Sequence, residues 1–251
     1  MIASLQTQML FPTNMVGPPG PLPAGARQVQ TVSADGTELH GVHIAATAGT
    51  GERTLVLGFG GNAWNGSDVA AYLHQLYPQA EVVAFHYRGY KPSRGSPSAK
   101  ALLADAPLVH DFAIELVKPR RVIAAGFSIG SGVAASLASR RKLDGLILVT
   151  PFDSLKAAAA DLYPWLPIGP FFEHEMDAAA FLKDSSVPVA ILAAERDSLI
   201  RPARTVALRA KVKNLVFDFT APGAGHNDIY QRSDFQRAMR DAFDKLSAFK
   251  S

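Results

Sequence analysis

The stretch Arg121-Val122-Ile123-Ala124-Ala125-Gly126-Phe127-Ser128-Ile129-Gly130-Ser131-Gly132-Val133-Ala134-Ala135-Ser136-Leu137-Ala138-Ser139 decides how the rest of the chain is read. Val122 to Ala125 is a short apolar run of the kind that fills a buried strand, and the residues after Gly132 follow an Ala-rich helical pattern. Gly126, Gly130, Ser131 and Gly132 crowd the turn between them. A strand that reverses into a helix within two residues brings two backbones together, and only glycine or another very small residue tolerates that approach. Ser128 then stands at the apex with its hydroxyl pushed clear, in the G-x-S-x-G arrangement of a nucleophile elbow. Those five letters alone are weakly specific, because Gly and Ser are common. The flanking strand and helix supply the rest. Two plainer readings stand beside it: a turn that merely packs tightly, and an anion site at a helix N-terminus.

Outward from this stretch, apolar runs and helical patterns alternate. Thr54 to Gly58, Glu81 to Phe85, Gly145 to Thr150, Pro188 to Ala193 and Leu215 to Phe219 read as buried strands. Between them, Asp68 to Tyr77 behind an N-cap Ser67, Lys100 to Val117, Leu155 to Leu162, Pro202 to Lys211 and Ser233 to Phe249 read as helices. Upstream, Gln28 to Ser33 and Glu38 to Ala45 alternate polar and apolar around Ala34-Asp35-Gly36, a hairpin signal. Continuous rather than alternating apolarity indicates a parallel sheet covered on both faces. The expectation is an α/β fold with a mostly parallel eight-stranded sheet and helices on both faces. Residues 1–27 read as an extended lead-in, broken by Pro12, Pro18 and Pro19, and 28–251 as a single domain. Residues 152–186 form an irregular, lid-like insertion in it.

Composition narrows the function classes. Hydrophobic residues make up 48% of the 251 and charged residues 19%, enough apolar content for a large core. A net charge of +3 is too small and too scattered to argue for nucleic acid, and leaves weak contact with an anionic membrane surface open. The chain has no cysteine, which excludes disulfides, thiolate metal sites and a cysteine nucleophile, and fits a cytoplasmic protein most simply. No apolar run approaches the ~20 residues of a bilayer span. No metal-binding constellation stands out: His174-Glu175 lacks a second histidine at helical spacing. Gly58-Phe59-Gly60-Gly61 falls short of a dinucleotide fingerprint, which needs a third glycine at Ala63.

A serine hydroxyl needs a base to take its proton and a third group to orient that base. In open parallel sheets such groups collect on loops at the carboxyl ends of strands. Of seven histidines, His40 and His43 fall in an early strand, and His74 and His110 on amphipathic helices. His86 precedes the Ser128 strand, and His174 lies in the irregular region. His226, in Gly225-His226-Asn227-Asp228 just after the last strand, is where a base belongs. Two carboxylates follow strands, Asp153 and Asp197. Asp197 gives the chain order Ser128, Asp197, His226 expected for a triad on such a sheet. Glu195 is its near neighbour; for it and for Asp153 the plain role is helix capping or an ion pair with Arg196 or Lys156. An oxyanion needs two converging donors. The Ile129 amide, at a helix N-terminus, is one candidate. The Asn62 amide, in the glycine-bearing loop Phe59-Gly60-Gly61-Asn62-Ala63, is the other; a plain surface loop is its alternative.

Taken together, these pieces resemble the α/β-hydrolase superfamily, and within it the Bem46-like or ABHD13/ABHD17-like serine hydrolases. The matching pieces are Gly61-Asn62-Ala63; Tyr87-Arg88-Gly89-Tyr90 with Ser93, Gly95, Pro97 and Ser98; Gly126 to Gly132; Pro151-Phe152-Asp153-Ser154-Leu155; Asp197 with Pro202; and Gly225-His226-Asn227-Asp228. The resemblance implies a cofactor-free hydrolase of carboxylic esters or thioesters, acting on a small-molecule or lipid-like acyl substrate. It carries Ser128, Asp197 and His226 over as the triad, and the Asn62 and Ile129 amides as the oxyanion hole. The family usually has His just before Gly-Asn-Ala, where this chain has Gly60. The loop is therefore expected to be held by backbone contacts and by Trp64 and Asn65, and to accept an imidazole at 60. The membrane-anchoring N-terminus common in eukaryotic relatives has no counterpart in the first residues.

Phe59, Trp64, Tyr163, Trp165 and Phe171 are candidates for the lining of an acyl pocket, with Leu166 and Phe172 alongside. Aromatics that fill a core beneath the insertion would read the same way. A non-catalytic protein of the same fold that binds an acyl ligand or a partner is the rival from another class. Peptidase or lactonase chemistry would use the same triad, since fold alone does not choose a substrate.

Overall fold

In the computed structural model the described residues are 2–48, 51–165, 169 and 171–249. They fall into two compact units, Met1–Ala124 and Ala125–Ser251, and the boundary lies within strand β5 (Arg121–Phe127). The sheet has eight strands in the order β1-β2-β4-β3-β5-β6-β7-β8. Here β1 is Ala26–Val32, β2 Glu38–Ile44, β3 Thr54–Phe59, β4 Glu81–Phe85, β6 Gly145–Val149, β7 Val189–Ala194 and β8 Leu215–Ala221.

In the first unit, β1 and β2 form the expected hairpin, with Gly36 at φ +85 in its turn. The β2 strand runs antiparallel to β4, and β4 runs parallel to β3. Every residue of β3 is buried, and successive side chains of a strand point to opposite faces, so both faces of the sheet are covered there. Helix α2 (Gly66–Leu76) packs on β2, β3 and β4, and α3 (Ala99–Val117) on β3 and β4. In the second unit, β6, β7 and β8 are parallel, and the wholly buried β6 and β7 again read as a covered sheet. Helix α4 (Ile129–Ala138) packs on β6, α7 (Pro202–Arg209) on β7, and α8 (Ser233–Ala248) on all three parallel strands.

Three local readings need correction. Residues Ile2–Leu10 form a helix, α1, rather than an extended lead-in. The run has no Gly or Pro, so nothing in it opposes a helix, and Pro12 acts only beyond its end. Helix α2 starts at Gly66, two residues before Asp68: Asn65 is its N-cap and accepts from the Asp68 amide at 2.9 Å, while Ser67 lies inside the helix. Within the insertion, α5 (Leu155–Leu162) stands where expected, and a second, five-residue helix α6 (Ala178–Leu182) follows, capped by Asp177. So short a helix leaves no periodic signal to read. Leu166 lies outside the described residues.

Candidate active site

Ser128 follows β5 and caps α4 with φ +52 and ψ −117, a left-handed conformation that a non-glycine residue adopts at a strain of about 1–3 kcal/mol. The surroundings hold it there. A Cβ on Gly126 would lie 2.7 Å from the Gly130 carbonyl carbon and 2.8 Å from the Ser131 Cα, so only glycine fits beneath the elbow. A Cβ on Gly132 would meet Phe152 Cζ at 2.9 Å. The Ser128 amide donates to the Val149 carbonyl at 2.9 Å, and the Ser131 hydroxyl donates to the Ser128 carbonyl at 2.6 Å. These bonds fix the backbone that carries the half-buried Ser128 hydroxyl.

It faces His226. The imidazole Nε2 is 3.0 Å from Ser128 Oγ, and Nδ1 is 2.8 Å from Asp197 Oδ2. Asp197 Oδ1 accepts from the Leu199 and Ile200 amides at 2.9 and 2.7 Å, so the other carboxylate oxygen is left for the ring. His226 and Asp197 are 8% and 6% exposed, which removes water as a competitor for the bonds between them. The two loops are also joined through the backbone: Glu195 donates to the Ala221 carbonyl at 3.2 Å and Arg196 to the Ala224 carbonyl at 2.8 Å. Ser128, Asp197 and His226, widely separated in sequence, thus form one continuous hydrogen-bonded chain within the second unit.

The rival acid does something else. Asp153 Oδ2 lies 3.5 Å from Arg204 Nη1, and Arg204 also reaches Asp161 at 3.3 Å, so its ion pair is with neither Arg196 nor Lys156. Capping of α5 falls to Ser154. Glu195 accepts from the Gly223 amide. Of the other histidines, His43 meets Glu81 at 2.7 Å and His110 meets Asp111 at 2.8 Å. Buried His86 accepts from the Gly66 amide and contacts Ser67.

Asn62 is exposed in the first unit, on a loop whose carbonyls are anchored by two tyrosines. Tyr87 donates to the Gly60 carbonyl at 2.9 Å, and the hydroxyl of fully buried Tyr90 donates to the Asn62 carbonyl. Both tyrosines belong to the stretch Tyr87-Arg88-Gly89-Tyr90 that carries the family resemblance, and their Tyr-x-x-Tyr spacing is the sequence sign of these anchors. The Trp64 amide closes the turn onto Gly61 at 3.3 Å. The space at Gly60 is tight for an imidazole: a Cβ there would stand 2.8 Å from Val69 Cγ2 and 3.1 Å from the Trp64 carbonyl oxygen. Ile129 opens α4, so its amide is one of the helix's orphan donors.

The pocket candidates separate. Phe59 is 4% exposed and ends β3 as a core residue; Trp64 is half-buried against Tyr72. Tyr163 and Trp165 make an edge contact at 6.2 Å, and Trp165 and Phe171 are 69% and 68% exposed. Those two do not fill a core beneath the insertion. Among the described residues, no group of three or more His, Asp or Glu is placed to hold a metal ion, and no helix is long and apolar enough to cross a membrane.

Comparison with known proteins shows the family. Residues 55–175 match the family model of the alpha/beta hydrolase fold. An uncharacterized Mycobacterium tuberculosis protein is 36% identical over 216 residues, covering 82% of this chain and 74% of that one. The chain belongs to the α/β hydrolases. The lysophosphatidylserine lipase ABHD12 of Danio rerio is 30% identical over 167 residues, 58% of this hydrolase and 44% of the lipase. Bem46 of Schizosaccharomyces pombe is 27% identical over 199 residues, 75% and 67% of the two chains, in keeping with a Bem46-like member. Among solved structures, the Pyrococcus furiosus esterase Pf2001 superposes with a TM-score of 0.71 at 15% identity, covering 94% of each chain.

Proposed function

We propose that this α/β hydrolase cleaves carboxylic esters or thioesters through an acyl-enzyme on Ser128. The observation that carries the reading is the unbroken chain Asp197–His226–Ser128. With Nδ1–H donated to Asp197, Nε2 is the basic nitrogen and accepts the Ser128 proton as Oγ attacks the acyl carbon. Asp197 holds the ring and stabilises the imidazolium. The tetrahedral oxyanion takes a hydrogen bond from the Ile129 amide at the positive end of α4. The family resemblance puts the second donor at the Asn62 amide. The imidazolium then protonates the departing alcohol or thiol, and water, activated by the same nitrogen, releases the acid. Kinship with a lipase supports lipid-like acyl esters as the substrate class, and the lack of cysteine supports a cytoplasmic setting.

A fluorophosphonate probe tests this, because it reacts only with an activated serine. The wild-type chain is expected to be labelled on Ser128 and to turn over p-nitrophenyl esters. Ser128→Ala should lose labelling and nearly all turnover, since losing a triad nucleophile costs about 10⁶ in kcat in a related mechanism. A Ser128→Ala protein retaining more than about a thousandth of wild-type kcat would sink the proposal. A wild-type chain that folds, resists the probe and still binds fatty acids would favour a ligand-binding role.

A further inference from the structure

Two carboxylates that take no part in the triad grip the loop carrying His226. The Gly223 amide donates to Glu195 Oε2 at 2.7 Å, and the Gly225 amide donates to Asp228 Oδ1 at 2.6 Å. We propose that Glu195 and Asp228 are positioning residues, which set where the imidazole of His226 stands between Asp197 and Ser128. This rests on the reading of the site as a Ser-His-Asp hydrolase.

The loop needs such support. Between the end of β8 at Ala221 and the short helical turn Ile229–Gln231, residues 222–228 contain glycine at 223 and 225. Gly223 sits at φ +69, and glycine carries more conformational freedom than any other residue. Inside the loop the backbone makes one weak bond, Ala224 N–H to the Ala221 carbonyl at 3.3 Å. The amides of Gly223 and Gly225 take carboxylate rather than backbone acceptors. Bonds to an ionised acceptor are shorter and roughly twice as strong as neutral ones, in line with the distances.

The two grips act in different directions. Glu195 stands two residues before Asp197, so its bond to Gly223 ties the acid loop to the base loop independently of the His226–Asp197 contact. Asp228 reaches back three residues and closes the chain around His226 itself. The ring must meet Asp197 at 2.8 Å and Ser128 at 3.0 Å at once. A loop shift of about 1 Å breaks one of the two, and misplacement on that scale can cost 10²-fold in rate. Neither role was visible in sequence, where Glu195 reads as a helix cap or an ion-pair partner and Asp228 as part of a motif. Their partners are backbone amides, which carry no residue signature.

The test uses the full chain carrying Glu195→Ala, Glu195→Gln, Asp228→Ala or Asp228→Asn. Both sites are exposed, so the fold should survive, and circular dichroism with thermal unfolding checks that. Steady-state turnover of p-nitrophenyl butyrate and the downfield NMR resonance of the His226 Nδ1 proton are the readouts. Each Ala variant is expected to lose about tenfold or more in kcat with KM within twofold, and to broaden or lose the resonance. The Gln and Asn variants, whose amide oxygens accept from the same N–H groups, should recover most of both. Ala variants that keep wild-type kcat and resonance overturn the proposal. So do Gln and Asn variants as impaired as their Ala counterparts. If the wild-type chain turns over no ester, the hydrolase reading falls, and the resonance alone decides positioning: unchanged in the Ala variants, it overturns it.

Discussion

His86 makes the fold's stability depend on mildly acid pH. It follows β4, is 3% exposed, and its Nδ1 accepts from the Gly66 amide at 3.2 Å. Nδ1 must therefore be the unprotonated nitrogen, and Nε2–H points at Ser67 Oγ, 3.1 Å away. A second proton would place a donor against the Gly66 donor in a dry site. Burial, reinforced by His40 and opposed by Asp68, holds the pKa down from 6.5 to about 4. The folded state thus prefers neutral His86, while the unfolded chain takes up a proton below 6.5. Stability from this group is complete above pH 6.5 and is lost as pH falls toward 4. At about 1.4 kcal/mol per pH unit, the loss over that window is about 3 kcal/mol. Burial lowers the pKa of His74 and His174 as well, so the wild-type slope alone does not isolate His86. His86→Gln does: its amide oxygen accepts from Gly66, its NH₂ donates to Ser67, and it does not titrate. Urea unfolding of both proteins from pH 7.5 to 4 should find the wild type's advantage over His86→Gln shrinking by about 3 kcal/mol. Stability curves that run parallel to within about 0.5 kcal/mol across this range would refute the assignment of the neutral tautomer.

Asp197→Asn should cost far more activity than Asp153→Asn. The first spoils the tautomer and aim of His226, worth about 10⁴ in kcat in serine proteases; the second loosens a half-buried ion pair to Arg204, worth about 1 kcal/mol, and leaves kcat within a few-fold. Kinetics on one activated ester rank the two, and the reverse order would move the acid to the loop after β6. Tyr90→Phe deletes the donor to the Asn62 carbonyl and should lower kcat by up to about 10², the lower end of what a lost oxyanion donor costs; unchanged kcat would remove Tyr90 from the site's support. Gly60→His should lower both the thermal midpoint and kcat, because overpacking costs about 1–3 kcal/mol; a midpoint at or above wild type would mean that Val69 and the Trp64 carbonyl yield easily.

What sequence made legible here follows a physical rule, and so does what it hid. Continuous apolar runs such as Leu146 to Val149 announce strands covered on both faces, and a parallel sheet collects function just past its strand ends. That rule, together with the glycine-rich elbow at Ser128 and the chain order that prefers Asp197 to Asp153, pointed to Ser128 after β5, Asp197 after β7 and His226 after β8. Helix α1 was hidden by the prolines that follow it, but Pro12 restricts chiefly the residue just before it, Phe11, which already lies past the end of Ile2–Leu10. The side-chain contacts that brace the loops were hidden for another reason. Glu195 to Gly223, Tyr87 to Gly60 and Tyr90 to Asn62 are side-chain contacts to backbone atoms across 28, 27 and 28 residues. Such a contact specifies only one of its two partners, so it leaves neither periodicity nor a paired residue type to find. Gly60 gathers both lessons. Resemblance made it look like a missing imidazole, a loss the loop would have to tolerate. Within the first unit, the Tyr87 hydroxyl holds its carbonyl and Val69 fills the space in which a Cβ would stand. The glycine is what lets the loop lie against α2 while the tyrosines fix its carbonyls; here the departure from the family pattern is part of the loop's construction.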